Sequence, residues 1–311
     1  MKTTNAAANE TNIRRMQYLL PPGASRERGG ERPEPGAHPQ AGQAGVPPSV
    51  ELRILGALEL RIDGSPVPLG GPRSRIVLAT LALHPDRVVA VDALVEAIWS
   101  GAPPETSRTQ VAICVAGLRK AFRAKGFHGR LIDTAPPGYS LCTDHLRLDL
   151  ADFVRWSELA DGVAREGRTA ESAGILREAL QLWRGKPLAG LTSSVVEAGA
   201  AALEERRLAA LERYAELQLE LGRHRELIAE LSQVVRDHPL REHARAALMV
   251  AYYRSGCRSD ALALFRDARR ISIEELGLEP GRDLQELRDA MLRDDPALAS
   301  STFWTRTPGS S

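Results

Sequence analysis

The sequence predicts an α+β winged helix-turn-helix with an N-terminal antiparallel sheet, followed by an all-α, tetratricopeptide-like helical domain. Three observations predict this order. Apolar residues begin to alternate abruptly at Val50, three amphipathic stretches then lead into a short hairpin, and the rest of the chain is helical with two glycine turns 34 residues apart. At 311 residues the chain is long enough for two domains.

Residues 1–49 precede this pattern and hold seven of the twenty prolines and six of the glycines, without apolar periodicity. Such a segment buries too little apolar surface to offset its chain entropy. We therefore expect a disordered N-terminal extension, with translation from Met16 as an alternative.

Three short antiparallel strands are expected to open the first domain. Apolar and charged residues alternate over 50–54 and again over 58–62, which is typical of half-buried strands. Asp63-Gly64 predicts a hairpin turn, and the apolar piece Val67–Leu69 is the expected third strand.

Three helices and a hairpin follow. The helices are predicted over 74–83, over 93–99 with Asp92 as N-cap, and over 105–125. A strand–turn–strand pattern over 131–142, with Pro136-Pro137-Gly138 at the turn, completes a winged helix of the kind found in response-regulator output domains.

The third helix divides into two faces. Val111, Val115, Leu118 and Phe122 share one apolar face. The opposite face carries small and polar residues that suit a DNA groove: glutamine pairs with adenine, threonine or isoleucine meets a thymine methyl, and basic groups bind phosphates. The DNA-binding candidates, including two arginines of the first helix and two wing residues, are Arg73, Arg75, Thr106, Arg108, Thr109, Gln110, Ile113, Ala116, Gly117, Lys120, Arg123, Gly138 and Tyr139.

Charge is distributed unevenly along the chain. The net charge of +1 alone argues mildly against DNA binding. Residues 105–130, however, carry six basic side chains and one acidic one, whereas residues 145–295 carry 23 basic and 27 acidic ones. Arg119 lies beside the apolar face, so an intramolecular ion pair is an alternative to a DNA contact for this residue.

The second domain repeats a helix–turn–helix unit. Gly222 and Gly256 are 34 residues apart, each between amphipathic helices, and Gly167 marks a third, irregular copy. Helical repeats form concave binding surfaces, and Trp156, Trp183 and Tyr252-Tyr253 either line such a surface or pack in the core.

The sequence offers no pattern for catalysis, metal or cofactor. It lacks H-E-x-x-H and G-x-S-x-G motifs, its seven histidines are scattered, and Cys114, Cys142 and Cys257 are far apart. Cys114 and Cys142, each flanked by apolar residues, are expected to be small buried hydrophobes. No stretch approaches the ~18 apolar residues of a membrane span. We expect a cytoplasmic protein that is not an enzyme and does not bind membranes.

Several runs resemble the Streptomyces antibiotic regulatory proteins (SARPs). The run 109–120 with Pro137-Gly138-Tyr139 is similar to their OmpR-type DNA-binding domain, although Ile113, Cys114, Ala116 and Gly117 stand where many relatives have polar residues. The helical half is similar to their bacterial transcriptional activator domain. Its matching runs are 176–185, 203–208, 254–256 and 274–281.

The resemblance covers about residues 50–297 and implies domains over 50–145 and 146–297, whereas the Ser/Thr/Gly-rich composition after Pro296 predicts a flexible tail over 298–311. It also implies an activator of secondary-metabolite genes that binds promoter direct repeats near the −35 element, as a homodimer or side by side, and recruits RNA polymerase holoenzyme through its sigma factor. Larger members add an NTPase domain, but no G-x-x-x-x-G-K-[ST] loop occurs here, so control by nucleotide hydrolysis is not expected. The alternative is a helical-repeat scaffold or ligand-sensing regulator whose winged helix mainly binds protein.

Overall fold

The computed structural model describes residues 48–299, and nearly all of the predicted N-terminal extension lies outside this range. The strands in chain order are β1 (Val50–Arg53), β2 (Glu59–Ile62), β3 (Ser65–Pro66), β4 (Val89–Ala90), β5 (Ile132–Ala135), β6 (Gly138–Leu141) and β7 (Leu146–Leu148). The helices are α1 (Pro72–Ala82), α2 (Val91–Trp99), α3 (Ser107–Ala124), α4 (Asp149–Arg165), α5 (Thr169–Gln181), α6 (Ser194–Glu220), α7 (His224–Asp237), α8 (Glu242–Arg254), α9 (Arg258–Leu276) and α10 (Arg282–Leu292).

The first sheet has the strand order β3-β2-β1-β7. Leu52 of β1 lies opposite Leu60 in an antiparallel pair and opposite Leu148 in a parallel one, and all three side chains are buried. The predicted strand at Val67–Leu69 is wrong, because the chain pairs with β2 earlier, at Ser65–Pro66. The backbone N–H of Val67 makes one further bond, to the Leu60 carbonyl (2.9 Å).

The predicted winged helix-turn-helix is confirmed. Helices α1, α2 and α3 pack on one another around buried Leu81, Leu94 and Leu118, and the second sheet, β4-β6-β5, contains the hairpin. The expected N-cap is wrong: α2 begins at Val91 without a side-chain cap, and Asp92 instead pairs with Arg108 (2.6 Å).

The helical part follows the predicted repeats. Gly167, Gly222 and Gly256 each follow a helix. Their own φ angles are 79°, 73° and 82°, in the left-handed region that favours glycine. Helix α6 begins at a true cap, since Ser193 Oγ accepts a hydrogen bond from Val196 N (3.4 Å) and donates one to the Ala97 carbonyl (2.6 Å). This second bond ties the start of α6 to α2.

A buried carboxylate joins the winged helix to the helical part. Asp149, the first residue of α4, accepts backbone hydrogen bonds from Ile54 and Leu55 just after β1 (2.9–3.0 Å). The backbone of Arg184 donates to the Leu55 carbonyl (2.8 Å), and that of Leu188 donates to the Ile54 carbonyl (3.1 Å). Burial raises the pKa of Asp149, although these N–H groups and Arg184 counteract the shift. The segment after β1 is thus fixed by two regions distant in sequence.

Residues 298 and 299, the first two of the predicted flexible tail, belong to the described range. Pro296–Ala299 form a 3-10 helix in which Leu298 is fully buried. The Leu298 carbonyl also accepts a hydrogen bond from Arg254 Nε (2.8 Å). Residues 300–311 lie outside the described range.

Candidate nucleic-acid interface

Helix α3 has the two faces that its sequence predicts. Val111, Val115, Leu118 and Phe122 are buried in the winged-helix core. The opposite face is exposed along its whole length. The DNA-binding candidates that are exposed here are Thr106, which directly precedes α3, and Arg108, Thr109, Ile113, Ala116, Gly117, Lys120 and Arg123.

A chain of hydrogen bonds holds the start of this face. Arg73, in the first turn of α1, donates from Nη1 to Gln110 Oε1 (2.7 Å), and Gln110 Nε2 donates to Thr106 Oγ1 (2.9 Å). The Arg73 guanidinium also lies over the Trp99 ring, 5.2 Å from its centroid, a favourable cation–π position. Trp99 was not among the sequence candidates, since nothing in its local pattern indicates that contact.

Cations continue along α3. Within residues 48–299, no carboxylate oxygen lies within 4.0 Å of the Lys120 or Arg123 side chain. Arg108 is instead paired with Asp92, and both side chains are largely exposed. Exposed pairs of this kind contribute little stability. Lys120 and Arg123 are thus exposed cations without an ion-pair partner among residues 48–299.

Arg119 links α3 to the hairpin. Its guanidinium donates two hydrogen bonds to the Ile132 carbonyl (2.8 and 3.0 Å) and one to Thr134 Oγ1 (2.9 Å). It also lies 5.9 Å from the centroid of the Tyr139 ring, which is half-buried. Arg119 therefore contacts the protein itself, through carbonyl and hydroxyl oxygens rather than the ion pair considered above, and it fixes the hairpin beside α3.

Two candidates have structural roles in their surroundings. Gly138 is buried where β6 meets β4, and a Cβ there would lie 1.8 Å from the Val89 carbonyl oxygen, so pairing of the two strands requires glycine at this position. Arg75 is half-buried and lines a groove with Leu60 and Val67 beside β2 and β3. Both positions depend on tertiary contacts that local sequence does not reveal.

Of the remaining aromatic candidates, Tyr252 and Tyr253 are half-buried and the two tryptophans are buried. Trp156 and Trp183 are buried, and the Trp183 ring packs edge-on against Phe153 (5.2 Å between centroids), so these rings belong to the core. Cys114 and Cys142 are only half-buried, against expectation.

The described part of the chain, residues 48–299, contains no cluster of three His, Cys, Asp or Glu side chains suited to a metal ion. None of the helices in that range is both long and apolar enough to cross a membrane.

Two family models match the chain. Residues 64–141 match "Transcriptional regulatory protein, C terminal", and residues 148–292 match "Bacterial transcriptional activator domain". The two matches are separated by residues 142–147, and together they include helices α1 to α10.

Relatives of known name share both regions. The transcriptional regulatory protein EmbR of Mycobacterium tuberculosis is 36% identical over 271 residues, covering 86% of this chain and 70% of EmbR. Regulatory protein DnrI of Streptomyces peucetius is 33% identical, covering 80% of this chain and 94% of DnrI. Regulatory protein AfsR of Streptomyces coelicolor is also 33% identical, but the chain spans 26% of its length.

A solved structure has the same architecture. The Mycobacterium tuberculosis EmbR structure, in complex with a low-affinity phosphopeptide, superposes with a TM-score of 0.75 at 36% identity. The match covers 80% of this chain and 66% of the EmbR chain.

Proposed function

We propose a function from the premise that the chain belongs to the family of Streptomyces antibiotic regulatory proteins, which are transcriptional regulators. In this proposal it activates secondary-metabolite genes, antibiotic genes among them, by binding their promoters. In the proposed complex α3 lies in the major groove of double-stranded DNA. The β5–β6 hairpin acts as a wing on neighbouring phosphates. The function is regulatory binding without catalysis.

The two-faced α3 is the observation that carries this proposal. Its inner face is locked into the core, while its outer face offers Thr109 and Ile113 near the helix start and Lys120 and Arg123 further along. A helix N-terminal half that approaches base edges, with basic residues reaching phosphates, is the geometry of a groove reader. The net +5 of residues 105–130 supplies the attraction that such binding needs.

The proposed site is a direct repeat near the −35 element. Two copies bind head to tail, as a homodimer or as side-by-side molecules on DNA, because a direct repeat orients both copies the same way. Copies that occupy one face of the duplex require half-sites about 10–11 base pairs apart, or a multiple of that spacing.

The proposed partner of the helical part is RNA polymerase holoenzyme, including its sigma factor. Family membership supports this partner, and helical repeats provide extended concave surfaces suited to protein contact. Residues 145–295 carry a net charge of −4, so this part of the protein is repelled by DNA rather than attracted to it. DNA and polymerase therefore bind different surfaces in this proposal.

Selection from a random double-stranded DNA library with the full chain tests the function. We expect enrichment of one motif repeated in tandem at constant spacing. A promoter carrying that motif beside its −35 element should then give more transcript in vitro when the chain is added to the holoenzyme. If no sequence is enriched even at low salt, the helical-repeat scaffold becomes the better explanation.

A further inference from the structure

Ile113 is a largely exposed apolar side chain at the centre of the outer face of α3. It is 64% exposed, the highest value among the large exposed hydrophobic side chains of residues 48–299. Single exposed apolar residues are ordinary on protein surfaces. This one deserves a functional explanation because of its neighbours.

The residues beside Ile113 on that face are small. Thr109 lies one turn before it, and Ala116 and Gly117 lie one turn after it, all exposed. At Gly117 a Cβ would meet nothing within 4 Å, so no contact inside the protein requires glycine there. Ile113 is therefore the largest apolar side chain on this part of the exposed face.

The nearby polar side chain, Gln110, is oriented by two hydrogen bonds within the protein. It uses one lone pair of its carbonyl oxygen to accept from Arg73 and one amide hydrogen to donate to Thr106. Bidentate pairing with adenine requires a particular orientation of both groups, and these bonds already set that orientation. Apolar contact through Ile113 remains available without breaking any bond.

We propose that Ile113 is a specificity-determining residue that contacts the C5-methyl group of a thymine in each half-site. Thymine is the base that presents a methyl group in the major groove. Opposite cytosine or guanine, the isoleucine would instead desolvate an amino group or a carbonyl oxygen without a hydrogen bond in return. Ile113 has this role only if α3 binds DNA as proposed above.

Deoxyuridine provides the test, because it differs from thymidine by the loss of that methyl group alone. The probe is the duplex selected by the full chain, resynthesised with deoxyuridine at one thymidine position at a time. For the wild type we expect about a fourfold loss of affinity at one thymine of each half-site, the value of one buried methyl group. Substituting the remaining thymines should change affinity little.

The Ile113→Ala variant completes a double-mutant cycle. It should bind the thymidine duplex more weakly than the wild type and lose nothing further on the deoxyuridine duplex. Ile113→Val, which keeps a branched apolar group, should retain most of the uracil effect. Leu278→Ala is the matched control, since Leu278 is 63% exposed and lies in the helical part, and it should behave as the wild type.

The outcomes separate the two proposals. An undiminished uracil effect in Ile113→Ala, or a selected site at which no thymine methyl matters, overturns the role of Ile113 and leaves DNA binding intact. Failure to select any site overturns the proposed function, and the role of Ile113 with it.

Discussion

Gly117 has no structural reason to be glycine. It lies in the interior of α3, with open space where a Cβ would stand, and glycine in a helix interior destabilises by roughly 0.5–1 kcal/mol relative to alanine. On the proposed DNA-facing surface, glycine is expected where the DNA approaches α3 so closely that a side chain would obstruct it. This trade of stability for function can be measured directly.

The Gly117→Ala variant should be more stable and bind DNA more weakly. We expect the free energy of unfolding to rise by roughly 0.5–1 kcal/mol, measured by urea denaturation, and affinity for the selected duplex to fall. Gly174→Ala is the matched control, because Gly174 is exposed in α5 with equally open surroundings. It should gain stability without losing affinity. Unchanged DNA affinity in Gly117→Ala would remove this residue from the interface.

For single residues, the sequence predicts burial or exposure correctly where helical periodicity decides it. The buried stripe of α3 at 111, 115, 118 and 122 determines which residues face outward, and the structure agrees. Gly138 and Arg75 could not be assigned in this way. Gly138 pairs with Ala90 of β4, a residue 48 positions earlier in the chain, and its role depends on this pairing. The role of Arg75 depends on its packing beside β2 and β3.

Among elements, the connection between β1 and α4 holds the winged helix against the helical part. The Asp149 carboxylate accepts the backbone N–H groups of Ile54 and Leu55 in a buried setting. Because Ile54 and Leu55 are fully buried, bulk solvent does not reach these donors. A buried N–H group without an acceptor costs about 1–3 kcal/mol.

The Asp149→Ala variant should therefore lose about 2–6 kcal/mol of unfolding free energy, since two buried N–H groups lose their acceptor at once. Asp161→Ala is the control, because Asp161 is an exposed acid of the same helix, and surface substitutions usually change stability by less than about 0.5 kcal/mol. Chemical denaturation of both variants measures the difference. Equal stabilities would mean that Asp149 does not hold the two parts together.

The elements that the sequence misses are those stabilised by distant partners. The three residues of β7 form a strand because they pair in parallel with β1, whose residue Leu52 lies opposite Leu148. No local pattern of three residues predicts a partner 96 positions away. The longer elements, the hairpin and the glycine turns were predictable because periodicity and turn chemistry are local.

For the molecule as a whole, the distribution of charge matters more than its sum. The chain has a net charge of +1, yet residues 105–130 carry +5 and residues 145–295 carry −4. Such a polarity orients the protein on a polyanion, because the basic segment is attracted while the acidic part is repelled. The central proposal that follows is that α3 lies in the major groove of DNA, with Lys120 against a phosphate of the backbone.

The salt dependence of DNA affinity tests that claim most directly. Each phosphate contact adds about 0.9 to the slope of log K against log salt. Lys120→Ala should therefore reduce the magnitude of the slope by about 1, whereas Lys186→Ala, which removes an exposed lysine of the helical part, should leave it unchanged. If Lys120→Ala keeps the wild-type slope, or if both variants reduce it equally, α3 does not bind DNA as proposed.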